Sequence, residues 1–89
     1  MVYQDEKITV VGVVVENKTR IGVAVRGKHE PNNPQRGISI ATSRSEMMPY
    51  SVIPQPVTQA GLDLIALAIK GNVLRTKQWN QKTLRRDRT

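Results

Sequence analysis

Cysteine is absent from this 89-residue chain, and so is phenylalanine. Without cysteine there is no disulfide framework and no thiolate metal site, which excludes the usual staples of a small secreted domain. With two tyrosines, Tyr3 and Tyr50, and one tryptophan, Trp79, the core has to be built from Val, Ile, Leu and Ala. The longest apolar stretch, 62–69, is interrupted by Asp63 and falls well short of the ~20 residues that span a bilayer, so no membrane association is expected. The amino terminus, MVYQDEKIT, has an acidic pair and no basic region ahead of its apolar run, which argues against a secretory signal. A reducing cytoplasm is the expected compartment.

Catalytic material is equally scarce. There is one histidine, His29, beside Glu30 in a polar loop, and the seven carboxylates are scattered along the chain. No metal-ligand spacing, no glycine-rich phosphate loop and no GxSxG elbow occurs. The reading is therefore of a protein that is not an enzyme and that needs no metal and no cofactor.

What the chain has in quantity is positive charge, +7 overall. Residues 1–17 sum to −2, residues 18–44 to +5, residues 45–69 to −2 and residues 70–89 to +6. Two basic blocks thus alternate with two weakly acidic ones. A fold that brings the second and fourth blocks together would create a continuous positive surface, the footprint of a polyanion binder.

The elements follow from periodicity. Residues 8–16 open with ITVVGVVV, apolar on both faces, which predicts a central strand covered on each side. A turn composition at Glu16 and Asn17 leads into a second strand, 20–26, with Ile21, Val23 and Val25 on one face. Gly12 and Gly22 mark places where another backbone approaches closely. Residues 27–37, with Pro31, Pro34 and an Asn32-Asn33 tip, read as a long exposed loop, and the alternation of 38–43 predicts a third strand. Pro49, Pro54 and Pro56 make the next stretch a connector with a short edge strand at 50–53. Thr58 is an N-cap for a helix over 59–70, and Gly71-Asn72 supplies its C-cap.

The expected fold is therefore α+β: a small antiparallel three-stranded sheet (8–16, 20–26, 38–43), one helix (59–70) and a basic tail. This divides the chain into a domain over 1–71 and an extension over 72–89. Because the helix is apolar around almost its whole circumference, one sheet face cannot cover it. Leu64, Leu67 and Ala68 are the expected interface of a homodimer or larger oligomer; the competing explanation is that the tail folds back over the helix through Val73, Leu74 and Trp79.

Nucleic acid is the expected partner, DNA or RNA. Arg26, Lys28 and Arg36 line a proline-stiffened loop whose Asn32 and Asn33 carry amides suited to base edges. In the tail, Arg75, Lys77, Lys82, Arg85, Arg86 and Arg88 are spaced by polar residues, unlike an amphipathic membrane helix. Phosphate contact should dominate. Trp79 either stacks on a base or anchors the tail to the domain. No known nucleic-acid-binding motif fits: there is no pair of adjacent helices for a helix-turn-helix, no cysteine for a zinc finger, and no aromatic residue between Thr9 and Ser45 for an RRM. The composition would suit an accessory or regulatory protein of a phage or mobile element. The alternative is a protein-interaction module, an inhibitor or adaptor, docking a partner through a basic and apolar surface, either the face around Leu64 and Leu67 or the segment from Met47 to Tyr50.

Overall fold

The computed structural model describes residues 1–27, 31 and 33–87, with side chains as far as residue 73. Among these residues there are four strands and two helices, in the order β1 (Val2–Gln4), β2 (Ile8–Val15), β3 (Lys18–Val25), α1 (Pro34–Met47), β4 (Ser51–Ile53) and α2 (Gln59–Asp87). The strands form one sheet in the order β1-β2-β3-β4, antiparallel throughout. The class is α+β, as the sequence indicates.

β2 and β3 are joined by a two-residue turn, Glu16-Asn17, both at positive φ (53° and 62°), with Val15 paired to Lys18. Positive φ at both central residues is the conformation whose twist matches that of a right-twisted hairpin, and asparagine tolerates it well. Along the hairpin the side chains alternate between two cores. Ile8, Val10, Ile21 and Val23 face α2, where they meet Leu62, Ala66 and Ile69. Val11 and Ala24 face α1 and meet Ala41, with Val13 and Ile40 at the margin. β2 is therefore central and covered on both sides, which is what its two-faced apolarity requires.

The third strand expected over 38–43 is not a strand. Residues 34–47 form α1, so the long loop ends at Asn33 and the sheet gains its outer members elsewhere. Asn33 is the N-cap, its side-chain oxygen accepting from the Arg36 N–H at 3.1 Å, and Pro34 begins the helix with its preset φ. The face of α1 turned to the sheet carries Gly37, Ala41 and Ser45, one helical turn apart. These residues are small enough for the helix backbone to lie against β3 at Gly22, where any Cβ would overlap the Ala41 carbonyl. Two arginines fasten α1 in place. Arg20 donates from Nε to the Ser45 carbonyl and from its terminal nitrogen to Glu46, both at 2.8 Å, and Arg44 donates to the Val23 carbonyl at 2.9 Å.

β4 occupies the predicted edge position and pairs with Thr19, Arg20 and Ile21 of β3. β1 has no counterpart among the expected elements, which begin at residue 8. It pairs with β2, and the Met1 ammonium and carbonyl both bond Gly12 at 2.9 Å. The chain then crosses to α2, where the buried Thr19 hydroxyl donates to the Gln55 carbonyl and accepts from the Val57 N–H. Thr58 caps α2 as expected, its hydroxyl accepting from Gly61 N–H at 3.1 Å. The expected C-cap at Gly71 does not form. No glycine adopts positive φ, and the helix continues to Asp87, drawn through by Val73, which packs on the core one turn beyond Ile69.

Candidate nucleic-acid interface

α2 begins at the hairpin-turn end of the sheet, where Val57 bonds Thr19 and Leu62 lies against Gly12, and runs toward the opposite end. There Lys70 meets Asp5 at 2.6 Å. Asp5 sits in the β1–β2 turn beside Ile8, which pairs with Val25, so α2 leaves the core at the same end of the sheet as Arg26. The α1 N-terminus, with Asn33 and Arg36, also lies at this end. Gln4, the last residue of β1, donates to the Pro34 carbonyl at 2.8 Å. The fold thus places Arg26 and Arg36 of the second basic block at the end from which α2, carrying the fourth block, departs, while Lys18 lies at the other end beside the hairpin turn.

Arg26 and Arg36 line a common cleft of about 90 Å³, together with Gln4, Asp5, Glu6 and Thr9. Both arginines are exposed, and the Arg26 backbone is fixed by its N–H bond to the Lys7 carbonyl at 2.9 Å. Asn33 is exposed as well, but its side-chain oxygen is committed to the helix cap. Two acids share this cleft. Burial pushes the Asp5 carboxyl up, yet the Lys70 ammonium, the Lys7 and Ile8 amides and the Tyr3 hydroxyl outweigh that and hold it well below the usual carboxylate range. The same contacts raise the Lys70 ammonium, chiefly through its bond to Asp5, and the Tyr3 hydroxyl, chiefly through its own bond to Asp5. Asp5 and Lys70 therefore neutralise each other across the pH range where proteins are studied, leaving Glu6 as the acid beside the two arginines.

Not every cation of the basic blocks is available. Arg20 and Arg44 are occupied with α1 and β3, and Lys70 with Asp5. Sequence counting had no means of separating these from Arg26 and Arg36, because each is recruited by a carbonyl or carboxylate more than twenty positions away. Of the tail residues, Arg75, Lys77, Lys82, Arg85 and Arg86 occupy positions on α2, fourteen residues of which follow Val73. At a rise of 1.5 Å per residue that portion is about 21 Å long. Helical spacing sets positions 75, 82 and 86 within about 40° of one another around the axis. Lys28, Asn32 and Arg88 lie outside the described residues, as does the side chain of Trp79.

The outer face of α2 is apolar and uncovered by the other described residues: Leu64 is 70% exposed, Leu67 55%, and Ala68 is exposed beside them. A second apolar surface surrounds the end of α1, where Met47 and Met48 are 82% and 78% exposed, with Tyr50 and Val52 nearby. Among the described residues no three His, Asp or Glu side chains converge as a metal site would require, and no helix is long and apolar enough to cross a membrane. Set against known protein families, curated proteins and solved structures, the chain matches none.

Proposed function

We propose that this protein is a dimeric nucleic-acid-binding protein that grips phosphates with the basic extension of α2 and with the arginines at the same end of the sheet. The observation that carries this reading is the course of α2: it continues past Val73, the last residue whose side chain is described, into a stretch with five basic positions before Asp87. Like charges at helical neighbours, such as positions 82 and 86, destabilise a helix and call for a counter-charge. Lining up along a polyanion supplies one, because each neutralised phosphate releases condensed counterions. Arg26 and Arg36 add positive charge where the helix leaves the domain. The amino-terminal, positive end of the α1 dipole lies at the same end. An accessory role in a phage or mobile element is consistent with so small and basic a chain.

The exposed Leu64, Leu67 and Ala68 support the dimer. The exposed Met47, Met48, Tyr50 and Val52 favour a second reading, in which the protein is an adaptor or inhibitor that docks a protein through this patch. Titration with single-stranded DNA, duplex DNA and RNA of matched length tests the first reading: binding at low salt is expected, and none with any of the three contradicts it. Replacement of Met47 and Met48 by Ser should leave that binding unchanged. A loss of nucleic-acid affinity in this variant would count against phosphate contact through α2 as the main source of affinity.

A further inference from the structure

We infer that two copies of the chain pair through the outer face of α2 and run antiparallel, about a two-fold axis near residue 69. The inference rests on the dimeric part of the reading above and specifies its geometry. Ala60, Leu64, Leu67 and Gly71 are all exposed and recur at alternating spacings of four, three and four, which keeps them on one side of the helix, and position 74 continues the series. This seam lies opposite the stripe of Leu62, Ala66, Ile69 and Val73 that packs on the sheet. Gly71 is the informative member. Glycine weakens a helix interior, and beyond the helix's own backbone no described residue comes within 4 Å of where its Cβ would be, so no described packing contact calls for it. A second helix lying close against that point does.

Antiparallel pairing follows from size and charge. About an axis near residue 69, position 67 of one copy faces position 71 of the other, setting a leucine against a glycine, and position 64 faces position 74. Parallel pairing would set Gly71 against Gly71 and leave a hole in the seam. It would also align positions 75, 77, 82, 85 and 86 with their own copies, crowding ten positive charges along one bundle. Antiparallel pairing sends the two basic stretches to opposite ends. It brings Asp63, the one acid of α2 ahead of Asp87, alongside the basic stretch of the second copy that begins at position 75.

Because the chain has no cysteine, single-cysteine variants report directly on this arrangement. Leu64→Cys and Leu74→Cys are to be oxidised mildly, each alone and as a mixture, after nuclease treatment. The expected result is a cross-linked dimer in the mixture and little in either variant alone. Two antiparallel copies of position 64 stand about 15 Å apart along the axis, beyond the roughly 7 Å that a disulfide spans. Ala60→Cys mixed with Gln78→Cys should behave in the same way, which guards against a folding defect in the first pair. Self-cross-linking of each variant alone would overturn the antiparallel arrangement while leaving a dimer. A monomer by light scattering of the unmodified protein, at concentrations up to about 100 times a micromolar Kd, would overturn the pairing altogether. Nucleic-acid binding by such a monomer would leave the phosphate contacts of the proposed function standing.

Discussion

Three residues carry much of the fold's specificity. Gly22 lets α1 rest on β3, and Gly22→Ala, which would drive a methyl group into the Ala41 carbonyl, is expected to cost about 3 kcal/mol in urea unfolding. The need for glycine there was legible, because a glycine within an alternating strand signals a close approach. Thr19 is fully buried and joins β3 to the segment before α2 with two hydrogen bonds. Thr19→Val keeps the shape but leaves the Gln55 carbonyl and Val57 N–H unpaired, an expected loss of about 2 kcal/mol by the same measurement. The role of Asp5 was not legible in the sequence, since its partner Lys70 lies 65 residues away and local pattern carries no trace of it. Its carboxyl is depressed in the folded state, so the unfolded chain binds the extra proton. The stability it contributes is fully present above the unfolded pKa of about 4 and is lost as pH falls through the lower folded value. Urea midpoints measured from pH 6 down to pH 2.5 should therefore decline, and the decline should be shallower in Asp5→Asn.

At the scale of elements, the hairpin and the start of α2 were readable, whereas α1 was mistaken for a strand. The reason is physical. The face of α1 that meets the sheet is made of Gly37, Ala41 and Ser45, so a search for apolar residues at helical spacing finds little, while Ile38 and Ile40 imitate the alternation of a strand. The signal that was present was capping, Asn33 followed by Pro34. Asn33→Ala should lower stability by about 1 kcal/mol, while Asn33→Asp, which caps as well and adds a favourable charge at the helix start, should not. Thermal unfolding of the two variants checks this. The far end of α2 was misread for the opposite reason: Gly71-Asn72 resembles a helix stop, but burial of Val73 rewards one more turn and the helix continues. What had been taken for a tail is therefore a helix with basic positions at fixed intervals.

For the molecule as a whole, the sheet and its two helices act as a mount that delivers α2 past the core at the end where Arg26 and Arg36 lie. Composition alone led to the expectation of a polyanion partner, but which cations are free of the fold depends on tertiary contacts, which assign Arg20, Arg44 and Lys70 to it. In the antiparallel pair the two basic stretches would reach about 54 Å from end to end, about 16 base pairs of duplex at 3.4 Å per step. Affinity for duplexes of increasing length should therefore rise and level off near that size. The central claim, that the α2 extension grips phosphates, is tested most directly by the salt dependence of binding. If about six basic side chains per chain neutralise phosphates, log K should fall with log salt at a slope near −5 per bound chain on duplex DNA, about −11 for the dimer, or about −4 per chain on a single strand. Replacing Lys82, Arg85, Arg86 and Arg88 together by Ala should reduce the duplex slope to about −2 per chain and weaken binding alike on all sequences. A wild-type slope flatter than about −1, or a slope that the quadruple replacement leaves unchanged, would contradict the account.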